Sequence, residues 1–486
     1  MRYFVVIMAM LSTLCVEAAD LSQSAAVDAL IAAEAPFGTR GNPGFVVGVA
    51  RHGKVLLAKG YGDADLEHDV PISADSAFYV ASVSKAFTGF AIALLVREGK
   101  VDLAADIRRY LRSMPDFGAV ITVRDLVEHT GGLRDYGLLA KLTQRSRTDW
   151  LWQEQAVNLI RHQRSLMFEP GSKAVYSNTG YLLLAEIVRS ASGKSLREFT
   201  AERMFAPLGM SRTVFADDAT EVIRGRVHGY SRTANTWHTS LLNAETVGGT
   251  GLVTTVEDML TWLRNYGAPR VGDAKLIDMI ATPARLTVGG NNYNFGVITK
   301  QIAGHQAIVL GGEAEAFRAT GFYFPGDDLA VTVMSNNLGA LTAKQLAEEV
   351  ASIYLGSPRP VRAPAPPRDS RSRQAPISAA VANEITGQYR IDELDTTYTL
   401  QLEKGQLVVR SLWSVDAEAK RQSEWSLWSP VAVTLTAVTR DRFESNSFAF
   451  GVLQPRRDEQ GHVVSLEIIE GALQGLRLER VRENKQ

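Results

Sequence analysis

Residues 80–98 read VASVSKAFTGFAIALLVRE, a polar start followed by a long apolar run. The apolar side chains recur at helical spacing, and Gly99 follows as a stop signal. The recurring residues are Phe87, Phe90, Ala91, Leu94 and Leu95. The stretch therefore predicts a helix over residues 81–98, and its apolarity favours a buried central helix over a surface one.

Ser82 and Lys85 stand three positions apart at the start of this helix, so their side chains share one helix face. The helix N-terminus favours negative charge on a hydroxyl oxygen. Burial lowers the pKa of a lysine, and a neutral amine can then take the serine proton. Ser-x-x-Lys also occurs by chance, and an N-cap serine followed by a solvent-exposed lysine is the alternative.

A second polar pair, Tyr176 and Asn178, lies in EPGSKAVYSNTGYLLLAEIV at 169–188, ahead of a helix predicted over 180–192. A tyrosine near a lysine ammonium can be held as the phenolate and act as base or acid. The Asn178 amide can orient Lys85 or a substrate carbonyl. The alternative is a loop tyrosine that packs before a helix, with Asn178 as its N-cap.

A third element, Leu310, Gly311 and Gly312, lies in AIVLGGEAEAFRATGFYFP at 307–325. Two glycines allow a strand to approach a ligand closely. The backbone N–H of Glu313 can then join that of Ser82 as an oxyanion hole. The alternative is a simple Gly-Gly turn between strands.

The surrounding sequence mixes strands at both ends with helices between them, which is typical of an α+β fold. Residues 44–61 predict a β-hairpin around His52 and Gly53. Residues 329–335 predict a buried strand, and residues 342–354 predict the last helix of this region.

Residues 357–376 carry six prolines and five arginines, which predicts an extended linker. After it, TYTLQLEKGQLVV alternates apolar residues around a Lys404-Gly405 turn, and similar patterns recur to the end. Residues 377–486 therefore predict a small antiparallel barrel or sandwich. The first globular region is then 20–356.

Residues 1–19 predict a signal peptide: Arg2 precedes an apolar stretch over 4–14, and small residues follow. An uncleaved anchor or a buried first strand is the alternative. The single cysteine, Cys15, lies in this segment, and Leu14 before it disfavours a lipoprotein. Cleavage would leave no thiol for disulfides or catalysis. We therefore expect a periplasmic or secreted protein.

Composition narrows the function classes. The 486 residues exceed the usual size of one core, so more than one domain is expected. A net charge of −1 argues against a nucleic-acid partner. The 8 histidines form no His-Glu-x-x-His pattern, so neither a metal nor another cofactor is predicted. A small-molecule or peptide substrate is the expected partner, with cell-wall derivatives among the candidates, and the sequence leaves the oligomeric state open.

The motifs, in this order, resemble the serine β-lactamase-like superfamily: class C β-lactamases, D-alanyl-D-alanine carboxypeptidases, D-aminopeptidases and related esterases. The resemblance covers residues 25–355 and includes flanking runs. These are ITVRDLVEHTGGL at 121–133, FEPGSKAVYSNTGY at 168–181, MFAPLGM at 204–210 and GGTGLVTTVEDMLTW at 248–262. It implies an antiparallel sheet flanked by helices, an all-helical lobe and an active site between them. The C-terminal region resembles the lipocalin-like β domain that often follows such hydrolases.

The resemblance also implies roles for the motif residues. Ser82 attacks a carbonyl, Lys85 and Tyr176 share the acid and base work, and Asn178 orients; which of Lys85 and Tyr176 is the general base stays open. The strand 310–313 binds the acyl group in extended form.

Leu310 departs from the family pattern, which has lysine or histidine there, or tryptophan in many of the esterases. A leucine cannot attract a substrate carboxylate, so we expect an esterase or D-amino-acid peptidase in preference to a β-lactamase. Arg318 is a candidate to supply positive charge from the adjoining turn, with a surface arginine as the alternative. The competing hypothesis is a catalytically silent penicillin-binding-like protein that binds cell-wall peptide or a partner protein.

Overall fold

The structure is a computed structural model, and it describes residues 21–143, 149–337, 342–360, 378–411, 432–447 and 449–481. The predicted signal peptide and residues 361–376 of the predicted linker lie outside the described residues. Within the described ranges, no helix is both long and apolar enough to cross a membrane.

Twelve α-helices occur among the described residues. They are α1 (21–32), α2 (Ser84–Arg97), α3 (Val123–Val127), α4 (Tyr136–Leu142), α5 (Gln153–Arg161), α6 (Asn178–Ser192), α7 (Leu196–Thr200), α8 (Ala206–Leu208), α9 (Val256–Asn265), α10 (Ala274–Ala281), α11 (Ala343–Leu355) and α12 (Ala379–Ile385).

The strands fall into a large sheet, several small ribbons and a barrel. Up to residue 335 they are β1 (Phe45–Arg51), β2 (Lys54–Tyr61), β3 (Asp63–Asp65), β4 (Val70–Pro71), β5 (Phe78–Tyr79), β6 (Leu151–Trp152), β7 (Val214–Phe215), β8 (Gly229–Thr233), β9 (Thr236–Ser240), β10 (Ala244–Glu245), β11 (Leu252–Thr254), β12 (Tyr293–Asn294), β13 (Val297–Ile302), β14 (His305–Ala314), β15 (Phe317–Phe324) and β16 (Leu329–Ser335). The barrel strands are β17 (Gly387–Ile391), β18 (Thr396–Glu403), β19 (Gln406–Ser411), β20 (Ala432–Thr439), β21 (Arg442–Ser445), β22 (Val452–Arg457), β23 (Val463–Glu470) and β24 (Arg477–Arg480).

The chain forms two compact units, and each contains separate stretches of sequence. The first comprises residues 1–100, 192–242 and 250–363. The second comprises residues 101–191, 243–249 and 364–486. In this grouping the C-terminal barrel shares a unit with residues 101–191, and the domain boundary at the linker stays a prediction.

The first unit is built on a seven-stranded antiparallel sheet in the order β12-β13-β14-β15-β16-β1-β2. His52 and Gly53 both take positive φ, as a tight hairpin turn between β1 and β2 requires. Val47 and Val49 of β1 pack in a core that includes α11. On the other face, a Cβ at Gly48 would lie 2.4 Å from the Val256 side chain of α9. Helices therefore cover both faces.

The second unit joins the helical segment 101–191 to a closed barrel of β17 to β24. The barrel interior is continuous with Leu139 and Leu142 of α4 in one hydrophobic cluster. The Tyr398 hydroxyl donates to the Leu142 carbonyl at 2.6 Å. Arg134, fully buried, donates to the carbonyls of Ser165 at 2.8 Å and Gln474 at 3.2 Å. These contacts hold the barrel in this unit.

The structure confirms the α+β fold class and resolves the C-terminal region as a barrel. The hairpin and the buried strand lie where the sequence predicts them. Three predicted helices shift slightly: α2 begins at Ser84 after a 3-10 turn at Ala81–Val83, α6 begins at Asn178, and α11 spans Ala343–Leu355.

Candidate active site

Ser82 lies in the tight turn Ala81–Val83, between β5 and α2. Lys85, one turn further on, is fully buried, and its Nζ donates to Ser82 Oγ at 3.1 Å. Ala81, just before the serine, takes a φ of +49°, a conformation that costs a non-glycine residue free energy. The turn thus holds the serine hydroxyl beside a lysine amine that is removed from solvent.

Ser84 supports this turn. Its Oγ donates to the Ala81 carbonyl at 2.6 Å and accepts from the Leu252 backbone N–H at 3.0 Å. Gly296 packs directly against the backbone of Lys85, since a Cβ at Gly296 would lie 2.2 Å from the Lys85 carbonyl carbon. The position of Lys85 is therefore set by neighbours far away in sequence.

The strand β14 passes directly beside the serine turn. A Cβ at Gly312 would lie 2.2 Å from the Val80 carbonyl oxygen and 2.8 Å from the Ser82 backbone nitrogen. Only glycine permits this approach. The predicted oxyanion hole, from the N–H groups of Ser82 and Glu313, thus involves two segments that lie side by side, and its role remains a prediction.

Gly312→Ala is expected to lower the acylation rate of Ser82 by about 100-fold, because displacing β14 by a fraction of an ångström misaligns the oxyanion donors. The overpacking should also cost about 1–3 kcal/mol of folding free energy. Gly326→Ala is the matched control, since a Cβ there meets nothing within 4 Å and the residue lies outside the strand assigned to the acyl group. Labelling kinetics and thermal unfolding of both variants give the comparison; equal rates would contradict the proposed role of β14.

Leu310 and Arg318 have defined surroundings in the first unit. Leu310 is fully buried, so its side chain fills the core and offers no charge. Arg318 stands opposite Glu313 in β15, with Nε 3.3 Å from Glu313 Oε2. Its Nη1 donates to the carbonyls of Glu315 and Phe317, each at 2.8 Å, and burial lowers its pKa. The positive charge of Arg318 is thus already engaged within the chain.

Tyr176 and Asn178 belong to the second unit, on the loop that leads into α6. Tyr176 is 39% exposed, which leaves its phenol accessible. The Asn178 backbone N–H donates to Asp135 Oδ2 at 2.6 Å. The other carboxylate oxygen of Asp135 accepts from the N–H groups of Gly137 and Leu138. Asp135 therefore fixes the start of α6 and of α4 with one carboxylate.

His129 also holds the loop that carries Tyr176. Its Nδ1 accepts from the Ser177 backbone N–H at 3.2 Å, and its carbonyl accepts from the Val175 N–H at 3.0 Å. Its ring lies 4.7 Å from the Tyr176 ring. His129 takes a φ of +60°, in the left-handed region that few residues other than glycine adopt. It thus contacts three successive residues around the tyrosine.

Sequence reasoning did not assign roles to His129 and Asp135. Both lie in EHTGGLRDY at 128–136: His129 falls inside the flanking run 121–133, and Asp135 lies two residues beyond its end. The signal available was a dense set of polar residues and two glycines between two short helices, which is typical of a structured turn. The hydrogen-bond partners, 43 or more residues away, could not be found from spacing.

The structure therefore groups the predicted site residues in two sets. Ser82, Lys85 and the strand 310–313 belong to the first unit, and Tyr176 and Asn178 to the second.

Among the described residues, Asp65, Glu67 and His68 bring potential metal-ligand atoms within 4.8 Å of one another. These side chains are partly or fully exposed, and His68 Nδ1 lies within hydrogen-bond distance of Asp65 Oδ2, at 2.7 Å. We assign them no catalytic role.

Comparison with known proteins agrees with this fold. The family model described as Beta-lactamase matches residues 27–355. The chain belongs to this family.

Among curated proteins, the chain is 29% identical over 322 residues to a D-aminopeptidase of Brucella anthropi, covering 65% of this chain and 59% of that protein. It is 31% identical over 321 residues to a D-aminopeptidase of Cereibacter sphaeroides, covering 65% and 61%. The chain thus spans about three fifths of the length of these relatives.

Among solved structures, the chain resembles the octameric penicillin-binding protein homologue from Pyrococcus abyssi. The TM-score is 0.59 at 20% identity, and the match covers 89% of this chain and 95% of that one. At this identity the likeness concerns the fold.

Proposed function

We propose that this protein is a serine hydrolase that cleaves amide bonds of D-amino-acid derivatives through an acyl-enzyme on Ser82. The observation that carries the proposal is the 3.1 Å between Lys85 Nζ and Ser82 Oγ, with Lys85 fully buried. A serine hydroxyl paired with a buried amine is the arrangement of an activated nucleophile. The D-aminopeptidase relatives support the choice of an amide substrate and of the D configuration.

In the acylation step, Ser82 Oγ attacks the substrate carbonyl carbon and its proton passes to Lys85 or Tyr176. The negative charge on the carbonyl oxygen is stabilised by the N–H groups of Ser82 and Glu313. The protonated base then gives its proton to the leaving amine. The C–N bond breaks, the amine departs, and the acyl group stays esterified to Ser82.

In the deacylation step, water attacks the ester carbonyl and the same base takes its proton. The C–O bond to Ser82 breaks, Ser82 recovers its proton, and a carboxylic acid leaves. Asn178 is assigned an orienting role through its amide. The resemblance leaves the choice between Lys85 and Tyr176 open, and the pair titrates as a unit if the two groups are coupled.

Leu310 supports an amide or ester substrate over a β-lactam. The residue is apolar and fully buried, and Arg318 nearby is engaged by Glu313. This strand therefore lacks the cation that efficient binding of a substrate carboxylate requires. Esterase activity accordingly remains within the proposal. The signal-like residues 1–19 support work in the periplasm or outside the cell.

The test is hydrolysis of the p-nitroanilides of D-alanine and L-alanine by the purified protein. The release of p-nitroaniline is measured. We expect turnover with kcat/KM for the D substrate at least about ten-fold above that for the L substrate, which corresponds to about 1.4 kcal/mol of transition-state discrimination. A preference for the L substrate would overturn the assigned stereochemistry. Absence of turnover, together with absence of serine labelling, would favour the catalytically silent binding protein.

A further inference from the structure

A cavity of about 510 Å³ lies within residues 101–191 of the second unit. Its lining comes from the loop 109–114 and from helices α5 and α6. Four arginines line it: Arg109, Arg112, Arg161 and Arg189. We call it the arginine cavity. None of the residues assigned to the proposed hydrolase belongs to its lining.

The walls of the arginine cavity are tied together by hydrogen bonds. Ser190 Oγ of α6 donates to the Tyr110 carbonyl at 2.9 Å, and the Tyr110 hydroxyl accepts from the Asp102 N–H at 2.9 Å. Apolar side chains that also belong to the lining are buried: Met114, Val157 and Leu183. The cavity thus combines buried apolar side chains with several cationic groups in its lining.

The charges around the arginine cavity are unbalanced. Glu186 is the one acidic residue among those that line it, and its Oε2 accepts from Arg189 at 2.6 Å and 3.1 Å. Among the residues that the structure describes, no carboxylate lies within ion-pair distance of Arg109, Arg112 or Arg161. A concave surface with one sign of charge concentrates ions of the opposite sign.

The guanidinium of Arg161 is only partly hydrogen-bonded within the described part of the chain. Its Nε is buried and has no hydrogen-bond partner in the described part of the chain, while its Nη1 donates to Asn158 Oδ1 at 3.0 Å. A buried N–H without an acceptor destabilises the folded state. Such groups in native proteins are satisfied by water, an ion or a ligand.

We propose that the arginine cavity binds a small anion through its phosphate or carboxylate groups, next to the apolar side chains Met114, Val157 and Leu183. Guanidinium groups bind both oxyanions with paired hydrogen bonds. The volume falls within the range of small-molecule sites. This site goes beyond the proposed hydrolase and does not depend on it.

The test is isothermal titration of the full-length protein with pyrophosphate and, separately, with citrate, at a constant ionic strength of about 0.15 M. We expect saturable binding of at least one of them at one site per chain. Arg112→Gln and Arg161→Gln should each weaken that binding by about ten-fold or more. Arg112 is exposed, so its variant tests the site even if Arg161→Gln impairs folding.

Arg456→Gln is the matched control, because it removes the same charge from the barrel of the same unit, where Arg456 pairs with Glu467. It should leave the affinity within about two-fold of wild type, because it removes no contact with the anion. Binding of pyrophosphate alone assigns the site to phosphates, binding of citrate alone assigns it to carboxylates, and binding of both supports the shared chemistry. Binding of neither, or an equal loss with the control, overturns the proposal.

Discussion

Replacing Ser82 by alanine is expected to abolish covalent labelling and to lower amide turnover by about 10⁴- to 10⁶-fold. The reason is that Ser82 Oγ is the atom that forms the acyl bond, and no other group can replace it. The fold should persist, with a loss of about 1 kcal/mol or less, because Ser82 is a partly exposed turn residue. Intact-mass spectrometry after brief exposure to a fluorophosphonate and, separately, to a penicillin gives the readout.

Ser84→Ala is the matched control, two residues along the same turn. Its two buried hydrogen bonds, to Ala81 and Leu252, are lost, which should cost about 1–3 kcal/mol of folding free energy. The adduct should nevertheless form. An adduct that persists in Ser82→Ala and disappears in Ser84→Ala would contradict the proposal, because it would identify Ser84 as the nucleophile.

The two probes also separate the substrate classes. Labelling by the fluorophosphonate alone would agree with an amidase or esterase. Labelling by the penicillin would show that β-lactams are recognised despite Leu310. Because wild type and Ser82→Ala differ by one oxygen atom, any adduct present only in wild type locates to that residue.

Replacing Lys85 by methionine is expected to lower the acylation rate by about 10²- to 10⁴-fold while the melting temperature stays equal or rises. Methionine has a similar volume and carries no charge whose burial costs free energy, which offsets the lost hydrogen bond to Ser82 Oγ. Loss of rate without loss of stability would show that Lys85 acts in the reaction and not in folding. Stopped-flow labelling and thermal unfolding measure the two quantities.

Lys59→Met is the control for this variant, since Lys59 lies on the same unit but is exposed and paired with Asp28 at 2.7 Å. It should leave the acylation rate within about two-fold of wild type, because it touches no reacting atom. If Lys85→Met acylated as fast as wild type, the general base would be Tyr176. A loss of rate would show that Lys85 is needed, either as the base or to hold Tyr176 as the phenolate.

The local elements could be predicted because their signals lie within one segment. The period of 3.6 residues in 81–98 marks a helix, and the spacing of Ser82 and Lys85 places both on one face. The alternation around Lys404-Gly405 marks a hairpin, and β18 and β19 pair across that turn. In each case the partners are at most a few residues apart, so the backbone geometry alone brings them together.

The support for the tyrosine loop could not be predicted in this way. His129 and Asp135 reach residues 175–178 across a gap of more than 40 positions. No periodicity links such partners, because α4 and α5 lie between them in the chain. The sequence motif identified Tyr176 and Asn178, but the residues that hold them were visible only in the folded chain.

By itself the sequence determined the α+β class, the hairpin, the helix with Ser82 and Lys85, and a C-terminal β domain, because each depends on patterns of apolar residues within one stretch. The tertiary structure decided the rest. It placed Gly312 against Ser82, 230 positions away, and it joined the barrel to residues 101–191 through the buried Arg134. Both depend on close packing between distant segments, where a missing Cβ or one buried guanidinium decides which surfaces meet.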